Sequence, residues 1–62
     1  MRPVILIVDD EEEIVDVLAE VFTLSEFDVL TARDGWEALA VLSTNRADII
    51  LSVNRPDFTR HI

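Results

Sequence analysis

Val4-Ile5-Leu6-Ile7-Val8 is an apolar run with no polar break, which predicts a strand covered on both faces, as in a parallel sheet. From Glu11 the period becomes helical. Ile14, Val17, Leu18, Val21 and Phe22 recur at spacings of three and four with Val15 beside them, while Asp16, Glu20 and Thr23 fall among the polar positions. Asp10 is placed to cap this helix with Glu13 three residues on, and Glu11 to Glu13 sit where the helix dipole favours negative charge. Ser25-Glu26 ends it, and Phe27 to Thr31 reads as a second strand. The next helix repeats the grammar: Asp34 caps, Glu37 completes the box, and Ala38, Leu39, Val41 and Leu42 give the apolar stripe. Ser43 to Arg46 reads as a loop, Asp48 introduces a third apolar strand, Ile49 to Val53, and Pro56 stops it.

The predicted order is β-α-β-α-β. Helices between consecutive strands imply right-handed crossovers and a parallel three-stranded sheet, with one helix on each face if the strand order is 2-1-3. This α/β unit spans residues 3–56, and residues 57–62 form a C-terminal tail. No internal repeat, linker or low-complexity segment interrupts it.

Size narrows the picture further. A chain of 62 residues, half of them hydrophobic, is one globular unit at most, and near this size a domain buries only about 60% of its unfolded surface. There is no cysteine to add a disulfide or a thiolate metal site, so self-association is the remaining easy source of burial. The 13 acidic residues outnumber five scattered arginines, for a net charge of −8, which argues against a nucleic-acid surface. No apolar stretch reaches the length of a membrane span or a secretory signal. A soluble cytoplasmic protein is the expectation.

In open parallel sheets ligands sit beyond the carboxyl ends of the strands. Asp9 and Asp10 lie at that end of the first strand, and Ser52 to Asn54 at that end of the third. Magnesium takes one or two carboxylates plus waters and other oxygens, so Asp9, Asp10 and a backbone carbonyl near Asn54 make an economical partial site. The bland alternative is that Asp10 caps and Asp9 is solvated. Glu11, Glu12 and Glu13 radiate around the helix start and suit the dipole better than a metal. His61, beside the C-terminus, reads as a tail residue; Trp36 as partial cover of the core rim or a partner surface; Arg55 as a solvated charge.

The runs "ILIVDDEEEIVDVLAEVF", "FDVLTARDGWEALAVL" and "ADIILSVNRP", in that order and spacing, resemble the first half of the receiver domain of two-component response regulators, over about Pro3 to Pro56. The resemblance implies half of a doubly wound, flavodoxin-like fold. It implies magnesium at the acidic pair, Asp9 and Asp10, with Asp10 the better direct ligand. It places the phosphoacceptor aspartate at the end of the third strand, where this chain reads Ser52-Val53-Asn54-Arg55-Pro56. Counted back from Pro56, Ser52 occupies the acceptor slot; counted forward from Asp48, an aspartate between Ser52 and Val53 is missing. Either way no carboxylate is available, and a serine hydroxyl without a base is a poor nucleophile toward a phosphohistidine. The phosphate-binding lysine that the family implies has no counterpart, since the chain contains no lysine.

These departures imply a truncated pseudo-receiver that is not an enzyme and works by binding a histidine kinase or another receiver, in part through the exposed side of the first helix. A magnesium-dependent acceptor built on Asp9, Asp10 and Ser52 is the alternative, and a non-functional deletion product is a third. In either the first or the third case, the apolar third strand has no outer neighbour in sequence. Its edge residues Ile49, Ile50, Leu51 and Val53 predict a homodimer pairing two third strands antiparallel across a two-fold axis.

Overall fold

Five elements follow one another in the computed structural model, which describes residues 1–53: β1 (Val4–Val8), α1 (Glu12–Leu24), β2 (Asp28–Ala32), α2 (Gly35–Thr44) and β3 (Ile49–Ser52). The strands form one sheet in the order β2-β1-β3. Both pairings are parallel, with Val4 to Val8 level with Asp28 to Ala32, and Ile5 to Val8 level with Ile49 to Ser52. This is the β-α-β-α-β half of a doubly wound sheet that the hydrophobic pattern predicts. Asn54, Arg55, Pro56, Asp57, His61 and the rest of the expected tail lie outside the described residues.

The core is β1. Ile5, Leu6 and Ile7 are at most 2% exposed, and because successive strand residues point to opposite faces, both faces of β1 are covered. α1 and α2 both pack on β1 and β2, and neither contacts β3. Right-handed crossovers out from β1 to β2 and back past it to β3 put the two helices on opposite faces.

Several boundaries differ by a residue or two from the sequence reading, and three of the shifts have a visible cause. Asp10 was expected to cap α1, yet the N-cap position falls on Glu11, whose side chain makes no capping hydrogen bond. The cause lies one residue earlier. Asp9 N–H still donates to Ala32 O (3.0 Å), prolonging the ladder, and the Asp9 carboxylate accepts from Glu11 N–H (3.2 Å), so the turn into the helix comes late.

The second shift is at the start of β2, whereas α1 ends at Ser25-Glu26 as expected. Glu26 adopts φ 69°, its N–H donates to Thr23 O (3.0 Å), and Phe27 N–H donates to Phe22 O (2.9 Å). This is a Schellman closure, with the Phe22 and Phe27 rings edge to face at 5.3 Å supplying the usual hydrophobic contact. Phe27 is therefore spent on the helix end, and β2 starts at Asp28. Arg2 secures the same corner: its guanidinium donates to Phe27 O (3.0 Å) and pairs with Asp28 (3.2 Å).

Third, α2 continues through Ser43 and Thr44, which had read as loop. Ser43 Oγ turns back to Ala40 O (2.6 Å) and Asn45 Nδ2 to Val41 O (2.9 Å), so these polar residues satisfy the helix end rather than break it. The start of α2 follows expectation: Asp34 accepts from Glu37 N–H (2.8 Å). Glu37 reaches back to Arg33 N–H (2.8 Å) instead of the cap's own amide.

β3 is attached by its amino end. Asp48 N–H donates to Val4 O, and Val4 N–H donates to the Asp48 carboxylate, both at 2.8 Å. At the other end Val53 N–H donates to Val8 O (3.0 Å), extending the pairing one residue past Ser52.

Candidate functional site at the carboxyl ends of the strands

Parallel strands deliver their last residues to one rim, and here the rim is concave. A recess of about 340 Å³ is lined by Val8, Asp9, Asp10, Arg33, Asp34, Gly35, Ser52 and Val53. Asp9, Asp10 and Ser52 thus converge, each delivered by the end of its strand. Asn54, the third member of the expected metal set, lies outside the described residues.

The two aspartates are in different environments. Asp10 is exposed, whereas Asp9 is 6% exposed and is the buried charged side chain among the described residues. One oxygen of Asp9, Oδ1, takes the Glu11 amide; Oδ2 is buried with no hydrogen-bond partner. A buried polar atom left without a partner costs on the order of 1–3 kcal/mol, more when charged, so an unpartnered carboxylate oxygen fits a cation or a water bound to one. Among the described residues no group of three or more His, Cys, Asp or Glu is arranged to hold a metal ion. A magnesium ion here would draw its remaining ligands from water and backbone carbonyls.

Ser52 is level with Val8. Continuing that register by one residue, as the Val53 amide bond does, sets Val53 level with Asp9. The rim of β3 thus presents a hydroxyl and an isopropyl group to the two aspartates, and no carboxylate.

Arg33 is the residue that sequence reasoning passed over. It lines this recess and also a neighbouring one of about 230 Å³ that holds Asp9, Glu12, Asp16 and Glu37. Its Nε lies 3.6 Å from Glu37 Oε2, an exposed pair of little energetic weight. The signal was positional: the residue following the edge strand enters the same rim as the residues following β1. Gly35 also lines the recess, but a Cβ there would meet nothing within 4 Å, so it makes no close backbone cradle.

Residues 5–55 match the family described as response regulator receiver domain. The alkaline phosphatase synthesis transcriptional regulatory protein PhoP of Bacillus subtilis is 47% identical over 51 residues, covering 82% of this chain and 21% of that protein. The transcriptional regulatory protein PrrA of Mycobacterium tuberculosis is 44% identical over 55 residues, covering 87% and 24%. The response regulator SaeR of Staphylococcus aureus is 36% identical over 53 residues, covering 86% and 23%. The chain therefore spans less than a quarter of the length of these relatives. No solved structure matches it.

Proposed function

The chain belongs to the response regulator receiver family, and from that premise we propose that it serves two-component signalling by binding other proteins rather than by carrying a phosphoryl group. The observation that carries this reading is the register of β3. With Ser52 beside Val8 and Val53 level with Asp9, the strand end next to the acidic pair offers no carboxylate to form an acyl phosphate. On this reading no acyl phosphate forms on the described end of β3.

Magnesium fits the acidic pair. Asp9 and Asp10 would hold it, Asp9 through the oxygen that has no other partner, and a bound ion would supply charge neutralisation at the rim. Added magnesium is expected to raise the melting temperature of the chain, and Asp9→Asn to abolish that rise.

A second reading has one observation in its favour: Ser52 shares its recess with two carboxylates, which could act as a base toward its hydroxyl. Incubation with acetyl phosphate and magnesium, followed by intact mass measurement, separates the two. A gain of about 80 Da, the mass of one phosphoryl group, that persists in hydroxylamine and disappears in Ser52→Ala would establish the serine acceptor and defeat the binding reading.

The partners proposed are a histidine kinase or another receiver, met through α1, and a second copy of this chain, met through β3. Pairing of β3 strands is supported by exposed Ile49 and Ile50 on a strand that neither α1 nor α2 contacts among the described residues. It would give a continuous six-stranded sheet, made of two three-stranded ones. No helix among the described residues is long and apolar enough to cross a membrane, which accords with a cytoplasmic setting.

A further inference from the structure

We propose that Arg33 is an internal cation that competes with a divalent metal for Asp9, so that the chain itself sets the affinity of its acidic rim; the inference rests on the magnesium reading of that rim. Strand register brings the two residues together. Val8 is level with Ala32, and Asp9 N–H carries the β1–β2 ladder one residue further by donating to Ala32 O (3.0 Å). Asp9 is thereby level with Arg33, one strand spacing of about 5 Å away, and level residues of parallel strands point to the same face. Thr31, two residues before Arg33, shares a recess with Val15 and Asp16 of α1, so this common face is the one that α1 covers. Asp9 and Arg33 both line that recess, and both also line the rim recess. The former lies over the seam of β1 and β2, between the starts of α1 and α2, and takes no residue from β3.

The carboxylate is short of a partner and the guanidinium is loosely held. Asp9 is 6% exposed, and its Oδ2 has no hydrogen-bond partner among the described residues. A buried carboxylate oxygen in that position gains more from a charged donor than from a neutral one. Among the described residues Arg33 is the one basic side chain that lines either recess. Arg2 pairs with Asp28 at the opposite end of the sheet, and Arg46 precedes β3 at that same far end. Arg33 Nε stands 3.6 Å from Glu37 Oε2, and the two side chains are 72% and 43% exposed, which makes the pair weak. The backbone of Arg33 is fixed, since its N–H donates to Glu37 Oε1 (2.8 Å). A fixed backbone and a loosely held head give the guanidinium two positions by side-chain rotation alone: outward against Glu37, as the structure shows it, and inward against Asp9.

Metal and guanidinium exclude each other at Asp9. Both take the same carboxylate oxygen, and a positive charge already seated there repels a second. A divalent ion therefore displaces the guanidinium toward Glu37, and loss of the ion readmits it. Asp9 is charge-paired in both states, and the affinity for metal is lowered by the work of displacing Arg33.

The test titrates magnesium chloride into the chain by calorimetry and follows thermal unfolding in EDTA. Arg33→Gln is expected to lower the magnesium dissociation constant about fivefold or more. Arg33→Lys, which keeps the charge, is expected to lower it less. Arg46→Gln removes the same charge at the far end of the sheet and is expected to leave the constant within about twofold. Without metal, Arg33→Gln is expected to lower the melting temperature by about 2 °C or more, and to lose that effect in an Asp9→Asn background. Unchanged magnesium affinity in Arg33→Gln, or equal tightening by Arg46→Gln, overturns the competition and leaves the magnesium reading standing. A melting shift that persists in Asp9→Asn assigns Arg33 to Glu37 alone and also overturns it. No magnesium binding by either the unsubstituted chain or Arg33→Gln removes the magnesium reading and the competition together, whereas binding by Arg33→Gln alone supports both.

Discussion

β1 and β3 are both aliphatic over their first three paired positions, Ile5-Leu6-Ile7 against Ile49-Ile50-Leu51, and they pair residue for residue. Their surroundings are opposite. β1 has a strand on each side and a helix on each face, and its central residues are sealed from solvent; among the described residues β3 has one strand neighbour and no helix, and Ile49 and Ile50 are 45% and 56% exposed. Burying a large aliphatic side chain is worth about 1.5–3 kcal/mol. The apolar content of a strand therefore states how much cover it would use, and the number of neighbouring elements decides how much it receives.

The contrast breaks most sharply at the centre of β1. Leu6→Ala is expected to cost about 2–5 kcal/mol, comparable to the whole stability of so small a domain, and to abolish cooperative urea unfolding. Ile49→Ala, at a position level with Ile5, is expected to leave the chain folded by circular dichroism. A charge placed on the bare strand tests its proposed partner. Ile50→Lys is expected to turn a sedimenting dimer into a monomer, shifting the dissociation constant by tenfold or more, with the far-ultraviolet spectrum retained. Smaller changes act on the helices that make β1 different. Asp34→Ala removes the cap of α2 and is expected to lower stability by about 1 kcal/mol in chemical denaturation. Glu26→Gly relieves a side chain from the left-handed region and is expected to raise stability by about 0.5–1 kcal/mol, read as a higher melting temperature.

Most of the topology was legible because it rests on periodicity. The change from the unbroken Val4–Val8 run to the three-and-four spacing of Ile14 to Phe22 announces strand then helix, and two helices between three strands dictate a parallel sheet. The Asp34 cap was legible because one acidic residue stands at one boundary. At α1 the same rule was ambiguous: two adjacent aspartates compete, and which one bends the chain depends on how far β1 stays paired, a tertiary fact. The left-handed Glu26 was hidden because its usual marker, glycine, is absent. At the rim, the convergence of Asp9, Asp10 and Ser52 followed from strand polarity once β1 and β3 are neighbours, as the order β2-β1-β3 makes them. The burial of Asp9 and the entry of Arg33 did not, because both depend on how α1, α2 and β2 crowd around the strand ends.

The reciprocal pair of hydrogen bonds between Asp48 and Val4 holds β3 the way a hinge pin holds one side of a door. With the amino end fixed, adding or dropping a residue at the carboxyl end leaves every earlier pairing in place and moves only what comes after. Architecture and chemistry are in this way separately heritable in a parallel sheet: the hinge side keeps the fold, and the free side can lose a reactive group without the core registering the change.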